Sequence, residues 1–253
     1  MVLNTYWGAA FVVVGSVFLA VCGLFLARKF VHFEKLKPAH EVGGYMLGVV
    51  GAIYAVLLGL IVVDAMQVYQ RARDVTEQET YSLANIAILA DGLHEPKGTA
   101  VKNLCSSYAA QVADSEFGKM AEGTYCPIAN TKATDLMKSL IGFEPATEAE
   151  KIVYPQILQE SSQFWQIRQQ RVSLAERSIP GIEWFALIIG AVITIFFTYF
   201  FGLENLKLQM IMTALVATLM SLNLMLLLMF AYPFSGVLSV KSQSYLDFAT
   251  SHK

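Results

Sequence analysis

Four stretches of this chain run without a charge for about the length of a bilayer crossing. The first is Tyr6–Ala27, ended by Arg28 and Lys29. The second is Val42–Val63, ended by Asp64. The third is Trp184–Gly202, and the fourth is Leu208–Tyr232, ended by Pro233. A hydrocarbon core about 30 Å thick needs roughly 20 apolar residues rising about 1.5 Å each, so each block predicts a transmembrane helix. No Lys or Arg precedes the first block, as a cleaved signal would require, so it reads as a retained span. The connector RKFVHFEKLKPAHE joins spans 1 and 2, and LENLK joins spans 3 and 4. The pattern predicts an all-α membrane protein: four transmembrane helices in two hairpins, with an extramembrane domain between spans 2 and 3. The expected divisions are a first hairpin over 1–66, a helical domain over 67–180, a second hairpin over 181–236 and a C-terminal tail over 237–253.

The stretch between the hairpins also reads as helix. From Asp64 to Leu93 only Gly92 interrupts, which predicts that span 2 continues out of the membrane as one long helix, ended by Gly92 and the turn HEPKG. Further helices are expected over Thr99–Phe117 and Thr131–Ile141, with a loop at Gly118–Pro127. A last long helix leads to Ser178, with Thr147 as N-cap ahead of Glu150 and Pro155 as a site for a kink. Asp74, Glu77 and Glu79 on the first long helix and Arg168, Arg171 and Arg177 on the last are candidate ion pairs, or else charges on solvated faces.

Charge adds orientation. The first short loop carries Arg28, Lys29, Lys35 and Lys37, whereas the N-terminal tail carries none. The positive-inside rule puts that loop in the cytoplasm of a cell (inner) membrane protein. The N-terminus, middle domain and C-terminus are then periplasmic. Arg71, Arg73, Arg168, Arg171 and Arg177 on the domain side argue the other way. With a net charge of −2 and no basic run, nucleic acid is not an expected partner. The lipid bilayer is. Cys105 and Cys126 share the middle domain, so they are either a disulfide pair in an oxidising compartment or two unpaired thiols. Cys22 lies inside a span.

Within the spans, Gly44, Gly48, Gly51, Ala52, Ala55 and Gly59 recur at three- and four-residue steps, a stripe of small side chains along span 2. Such a stripe lets helix backbones approach closely; the alternative is a narrow pore lining. Asp64 and Arg71, two turns apart on the opposite face, and Arg73 are candidates for a pore mouth, with a hydrated interface as the plainer reading. Asn223 and Thr194 are intramembrane polar residues, suited to interhelical hydrogen bonds or to a polar path. No nucleotide, hydrolase or metalloprotease motif is present. His32 and His40 match no metal-ligand spacing. Neither cofactor nor metal is expected, and nothing asks for an enzyme.

Three stretches carry a resemblance. One is YAVLLGLIVVDAMQVYQRARDVTEQE, from Tyr54 to Glu79. The second is Tyr108, Val112 and Glu116, a Y-x3-V-x3-E pattern followed by Phe117. The third gathers Trp184, Gly190, Phe200-Phe201-Gly202, Gln209, Ala214 and Pro233-Phe234-Ser235-Gly236. On these residues the chain resembles a bacterial family of bestrophin-like membrane proteins. It departs at Met66, where the family pattern has Trp, and at Tyr232, where it has a charged residue. The likeness implies an analogy to bestrophins, pentameric anion channels whose second span lines the pore. By that analogy this chain forms a homo-oligomer conducting inorganic anions. The other reading is a non-conducting membrane sensor or scaffold whose helical domain binds a partner or ligand.

Overall fold

The protein was analysed as a computed structural model, which describes residues 6–30, 40–177, 179–200 and 205–251. Every regular element among them is helical: α1 (Tyr6–Phe30), α2 (His40–Leu89), α3 (Lys97–Gln111), α4 (Phe117–Ala121), α5 (Pro127–Ile141), α6 (Glu148–Glu176), α7 (Gly181–Tyr199), α8 (Leu206–Ala231) and α9 (Gln243–Ser251). Four helices are long and apolar enough to cross a membrane: α1, α2, α7 and α8. The helical region lies between the second and third of these. His32 and the basic residues Lys35 and Lys37 lie outside the described residues.

The chain divides into two units. The first comprises residues 1–67 and 178–231. Its apolar side chains mostly point outward: Phe11, Phe18, Ile53, Leu60, Val192 and Leu215 are all exposed. Lipid would cover such a surface, so burial of apolar area does not drive these helices together; close packing and hydrogen bonds do. Gly23 admits the Tyr199 ring, whose hydroxyl lies 2.6 Å from where a Cβ would stand and donates to the Ala20 carbonyl at 2.7 Å. Gly190 likewise admits the Tyr54 ring, and the Tyr54 hydroxyl donates to Leu187 O at 3.0 Å.

The second unit comprises residues 68–177 and 232–253. It therefore includes the segment that reads from sequence as the end of hairpin 2 and a tail. Tyr245 and Phe248 of α9 are buried in a core shared with Leu83, Ile86, Val101, Leu136 and Phe164. The turn before α9 uses Gly236 at φ +86°, a left-handed conformation open to glycine because it lacks a Cβ. The Val240 N–H closes that turn onto Pro233 O at 2.8 Å.

Several boundaries differ from the expectations. α3 starts at Lys97 and passes through a π-helical turn, Val112–Glu116, directly into α4. The expected loop from Gly118 shrinks accordingly, because Met120 is buried and anchors α4. α5 starts at Pro127, since proline suits the first turn, where its missing N–H is not needed. Thr147 does cap α6: its hydroxyl accepts from Glu150 N at 3.2 Å, and the Glu150 carboxylate accepts from Thr147 N at 3.0 Å. α6 runs unbroken through Pro155.

Candidate functional site

From Tyr54 onward one face of α2 is buried. At steps of three, four or seven residues, Tyr54, Leu58, Ala65, Ala72, Val75, Glu79, Leu83 and Ile86 are all buried, in the first unit up to Ala65 and in the second from Ala72. Glu79 is the one charge in that stripe. α6 repeats the pattern with Ile157, Ser161, Phe164, Arg168, Arg171 and Leu174, and α3 with Val101, Cys105, Tyr108 and Val112. The charged members meet in the core of the helical domain. Glu79 and Glu116 are 0% exposed, Arg171 is 0% and Arg168 is 1%.

The geometry is that of a continuous network, in which Arg168 Nε finds no partner. Arg168 donates to both Glu116 oxygens, at 2.9 and 2.8 Å. Arg171 donates to Glu79 at 2.6 and 3.1 Å and to Glu116 at 2.8 Å. The Tyr108 hydroxyl donates to Glu79 and accepts from Arg168 at 2.8 Å. The Arg171 guanidinium also lies 5.7 Å from the centre of the Phe117 ring and 5.5 Å from that of Tyr245. Two acids face two bases, so the network is electrically balanced. Burial alone would raise the Glu116 pKa, but the Arg171 and Arg168 guanidiniums outweigh it and hold the carboxyl below its ordinary range. Burial, then the Glu79 carboxylate, pushes the Tyr108 phenol well up. The π turn explains how Glu116 takes part. In a regular α-helix a residue eight positions on lies about 80° round from Tyr108; a wider turn of one extra residue swings it back onto the same face.

Of the candidate pairs read from sequence, Glu79–Arg171 is formed, but in the interior rather than on a solvated face, and Arg168 takes Glu116, which was not among the candidates. Arg168 and Arg171 are interior, and their partners are Glu79 and Glu116. Of the other expected acids, Glu77 takes Arg73 at 3.3 Å on the surface, and Asp74 is exposed. The disulfide considered from sequence is not formed either: Cys105 and Cys126 are free and buried, and burial pushes the Cys105 thiol up to about 12. A second carboxylate network closes the far end of the domain. Glu150 is brought down to about 2 by the backbone N–H of Thr147 first, and then by the N–H and ring of His94.

The remaining candidates lie on α2, α7 and α8. The small-residue stripe is unpacked within one chain: a Cβ at Gly48, Gly51 or Gly59 would meet nothing within 4 Å, and Ala55 is exposed. At about 100° per residue this stripe sits roughly a quarter-turn round from the buried Tyr54 face. Its continuation beyond the apolar block falls on Met66, Gln70, Arg73 and Glu77. Asp64 and Arg71, both exposed, fall on the other side of the helix. Arg71 and Arg73, expected together at a mouth, therefore do not share a face. Thr194 is buried, its hydroxyl donating to Gly190 O of its own helix at 2.8 Å. Asn223 is exposed, its amide donating to Leu219 O of its own helix at 2.9 Å. The polar contacts between spans instead come from Gln209, which accepts from Arg28 at 2.9 Å and donates to Tyr199 O at 3.2 Å, and from the Thr198–Thr213 hydroxyl pair at 3.1 Å. Among the described residues no group of acids, histidines and cysteines is placed to hold a metal ion.

Some residues of the sequence resemblance lie in this domain core, whereas Trp184, Gly190, Gln209 and Ala214 belong to the first unit. Tyr108 and Glu116 are in the charge network, Phe117 stacks edge-on with Phe234 at 5.9 Å, and Gly236 makes the turn that follows. Comparison with known families agrees: the model of the Bestrophin-like domain matches residues 14–245. The chain belongs to the bestrophin-like family. No curated protein and no solved structure matches it. This bestrophin-like chain is a membrane protein with four candidate spans, and Glu79, Tyr108 and Glu116 of the resemblance take part in the balanced Glu–Arg–Tyr network.

Proposed function

We propose that this bestrophin-like protein is a homo-oligomeric ion channel with α2 nearest the axis and small inorganic anions as the permeant class. The observation that carries the reading is the unpacked glycine stripe: within a single chain, Gly48, Gly51 and Gly59 face open space. Smooth helix surfaces of this kind favour close approach of a second helix. Asn223 supports the reading independently. Its exposed amide lies eight residues, about 12 Å of helix, inside the end of α8. A polar group facing lipid at that depth is costly, whereas a neighbouring copy or water would satisfy it. With the stripe toward the axis, Arg73 and Glu77 stand at the mouth, and the carboxylate tempers the attraction of Arg73 for anions. Family membership supports an anion as the ion. The charge of the first loop supports a helical domain on the periplasmic side.

The test is substitution within the stripe. Gly51→Leu and Gly59→Leu should reduce either the subunit count read by native mass spectrometry or the chloride flux of reconstituted vesicles. Parental values for both quantities in both variants would remove the stripe from the account. Orientation is read separately with Ser162→Cys, an exposed position on α6. An impermeant maleimide should label it in intact cells; labelling only after lysis would reverse the orientation. Cys105 and Cys126 are too buried to serve.

A further inference from the structure

Within the second unit, a groove of about 180 Å³ lies between α2 and the chain that leads into α9. Tyr69, Arg73, Thr76 and Glu77, on one face of α2, form one wall; Ser239, Val240, Lys241 and Ser244 form the other. The second wall is held from behind. Val240 is buried in a core with Ala72, Val75 and Phe234, and Tyr245, next to Ser244, is fully buried. Sites for drug-sized ligands occupy roughly 300–1,000 Å³, so the occupant of this groove is a small ion or molecule.

Donors outnumber acceptors in it. Lys241 is exposed and has no acid partner among the described residues. Arg73 uses its Nε on Glu77, at 3.3 Å, and presents the rest of its planar fork. The Ser239 and Ser244 hydroxyls make no hydrogen bond among the described residues and can turn to a ligand. The Thr76 hydroxyl already donates to Ala72 O at 2.7 Å. Two cations against one acid leave the groove with a net positive charge. Such a set suits an anion with several oxygens, and arginine forks match tetrahedral oxyanions. Glu77 decides which one. An ionised carboxylate only accepts, and Glu77, with one N–H bound, keeps lone pairs to spare. Sulfate carries no proton at neutral pH, so its oxygens would meet that carboxylate with repulsion. Hydrogen phosphate keeps a P–OH that donates to it. A group that penalises the wrong ligand sets specificity as much as one that attracts the right one. We propose that this groove binds hydrogen phosphate, with Lys241 and Arg73 on its charged oxygens and Glu77 accepting from its P–OH. The assignment does not rest on conduction.

The test is isothermal titration calorimetry on the purified full-length protein in detergent, at neutral pH and constant ionic strength. The probes are sodium phosphate and sodium sulfate. The variants are Lys241→Gln and Glu77→Gln, with Arg71→Gln as a control that removes an exposed α2 arginine outside this groove. Circular dichroism shows that each is folded. The parent should bind phosphate about tenfold more tightly than sulfate, and Lys241→Gln should weaken phosphate by about tenfold, the effect of one hydrogen bond to a charged group. Arg71→Gln should leave phosphate binding unchanged. Glu77→Gln, whose amide can donate, should strengthen sulfate and bring the two anions to near-equal affinity. No phosphate binding by the parent, parental binding in Lys241→Gln, or equal losses in Lys241→Gln and Arg71→Gln would overturn the site. A parent that takes sulfate as tightly as phosphate, or a phosphate preference that survives Glu77→Gln, would overturn the assignment to hydrogen phosphate.

Discussion

Glu116→Gln tests the buried network most sharply, because it changes charge with almost no change in shape. Glu116 is fully buried and accepts three hydrogen bonds from guanidiniums, at 2.8–2.9 Å. The amide keeps one acceptor oxygen and turns an N–H pair toward groups that are themselves donors. Two buried guanidiniums then face a single carboxylate. Removing one partner of a buried ion pair costs about 3–5 kcal/mol, chiefly because the remaining charge is left uncompensated. Whole domains are stable by only about 5–15 kcal/mol, so the variant domain should open far more often. Cys105 and Cys126, free and buried in that domain, report opening through their maleimide reaction rates in a Cys22→Ser background. A loss of about 3 kcal/mol or more multiplies the open population, and so the rate, by roughly a hundredfold or more when reclosing is fast. A second variant separates charge imbalance from general damage. Glu116→Gln with Arg168→Met removes one acid and one base and restores balance, so it should label more slowly than Glu116→Gln alone. The reasoning is refuted if Glu116→Gln labels within about twofold of the parent, or if the double variant labels as fast as the two single effects multiplied.

Acid should act on the same domain. The folded Glu116 carboxyl titrates below its unfolded value, so its contribution is complete above about pH 4.5 and is lost as pH falls through the folded value. Glu150 adds a loss spread between about 4.5 and about 2. Domain helicity by circular dichroism should therefore stay flat from pH 7 to about 4.5 and fall below it; a loss already under way at pH 6 would contradict both assignments. Thr147→Ala should cost about 1 kcal/mol by chemical denaturation, as loss of an N-cap does, and no change would mean that the cap is not used. Gly190→Ala places a methyl on the Tyr54 ring and should lower thermal stability by about 1–3 kcal/mol. Gly48→Ala, into open space within the chain, should leave monomer stability alone; equal effects at the two sites would show that glycine spacing, not the contact, matters.

The spans were legible because a bilayer demands uninterrupted apolar length, and α1, α2, α7 and α8 have it. The continuation of α2 was legible from the absence of Pro and Gly between Gly59 and Gly92. The network was half legible. Glu79, Arg168 and Arg171 are charges at positions where the three-and-four spacing calls for apolar residues, the signature of an interior charge. That signal names the residues but not their partners, since charges on separate helices can pair in several ways. Glu116 was beyond regular periodicity altogether: only the π turn returns it to the Tyr108 face. The role of α9 was hidden for another reason. A nine-residue helix with three buried side chains, Tyr245, Phe248 and Ala249, has too little pattern to declare the core it joins.

The central claim is that copies of this chain assemble around α2 to pass anions. Single-channel recording of the purified protein in a planar bilayer under a chloride gradient tests it most directly. The account predicts discrete openings that reverse near the chloride equilibrium potential, with amplitude altered by Gly51→Leu. A silent bilayer, with the same preparation confirmed as inserted and assembled, would contradict the channel and favour a non-conducting membrane scaffold.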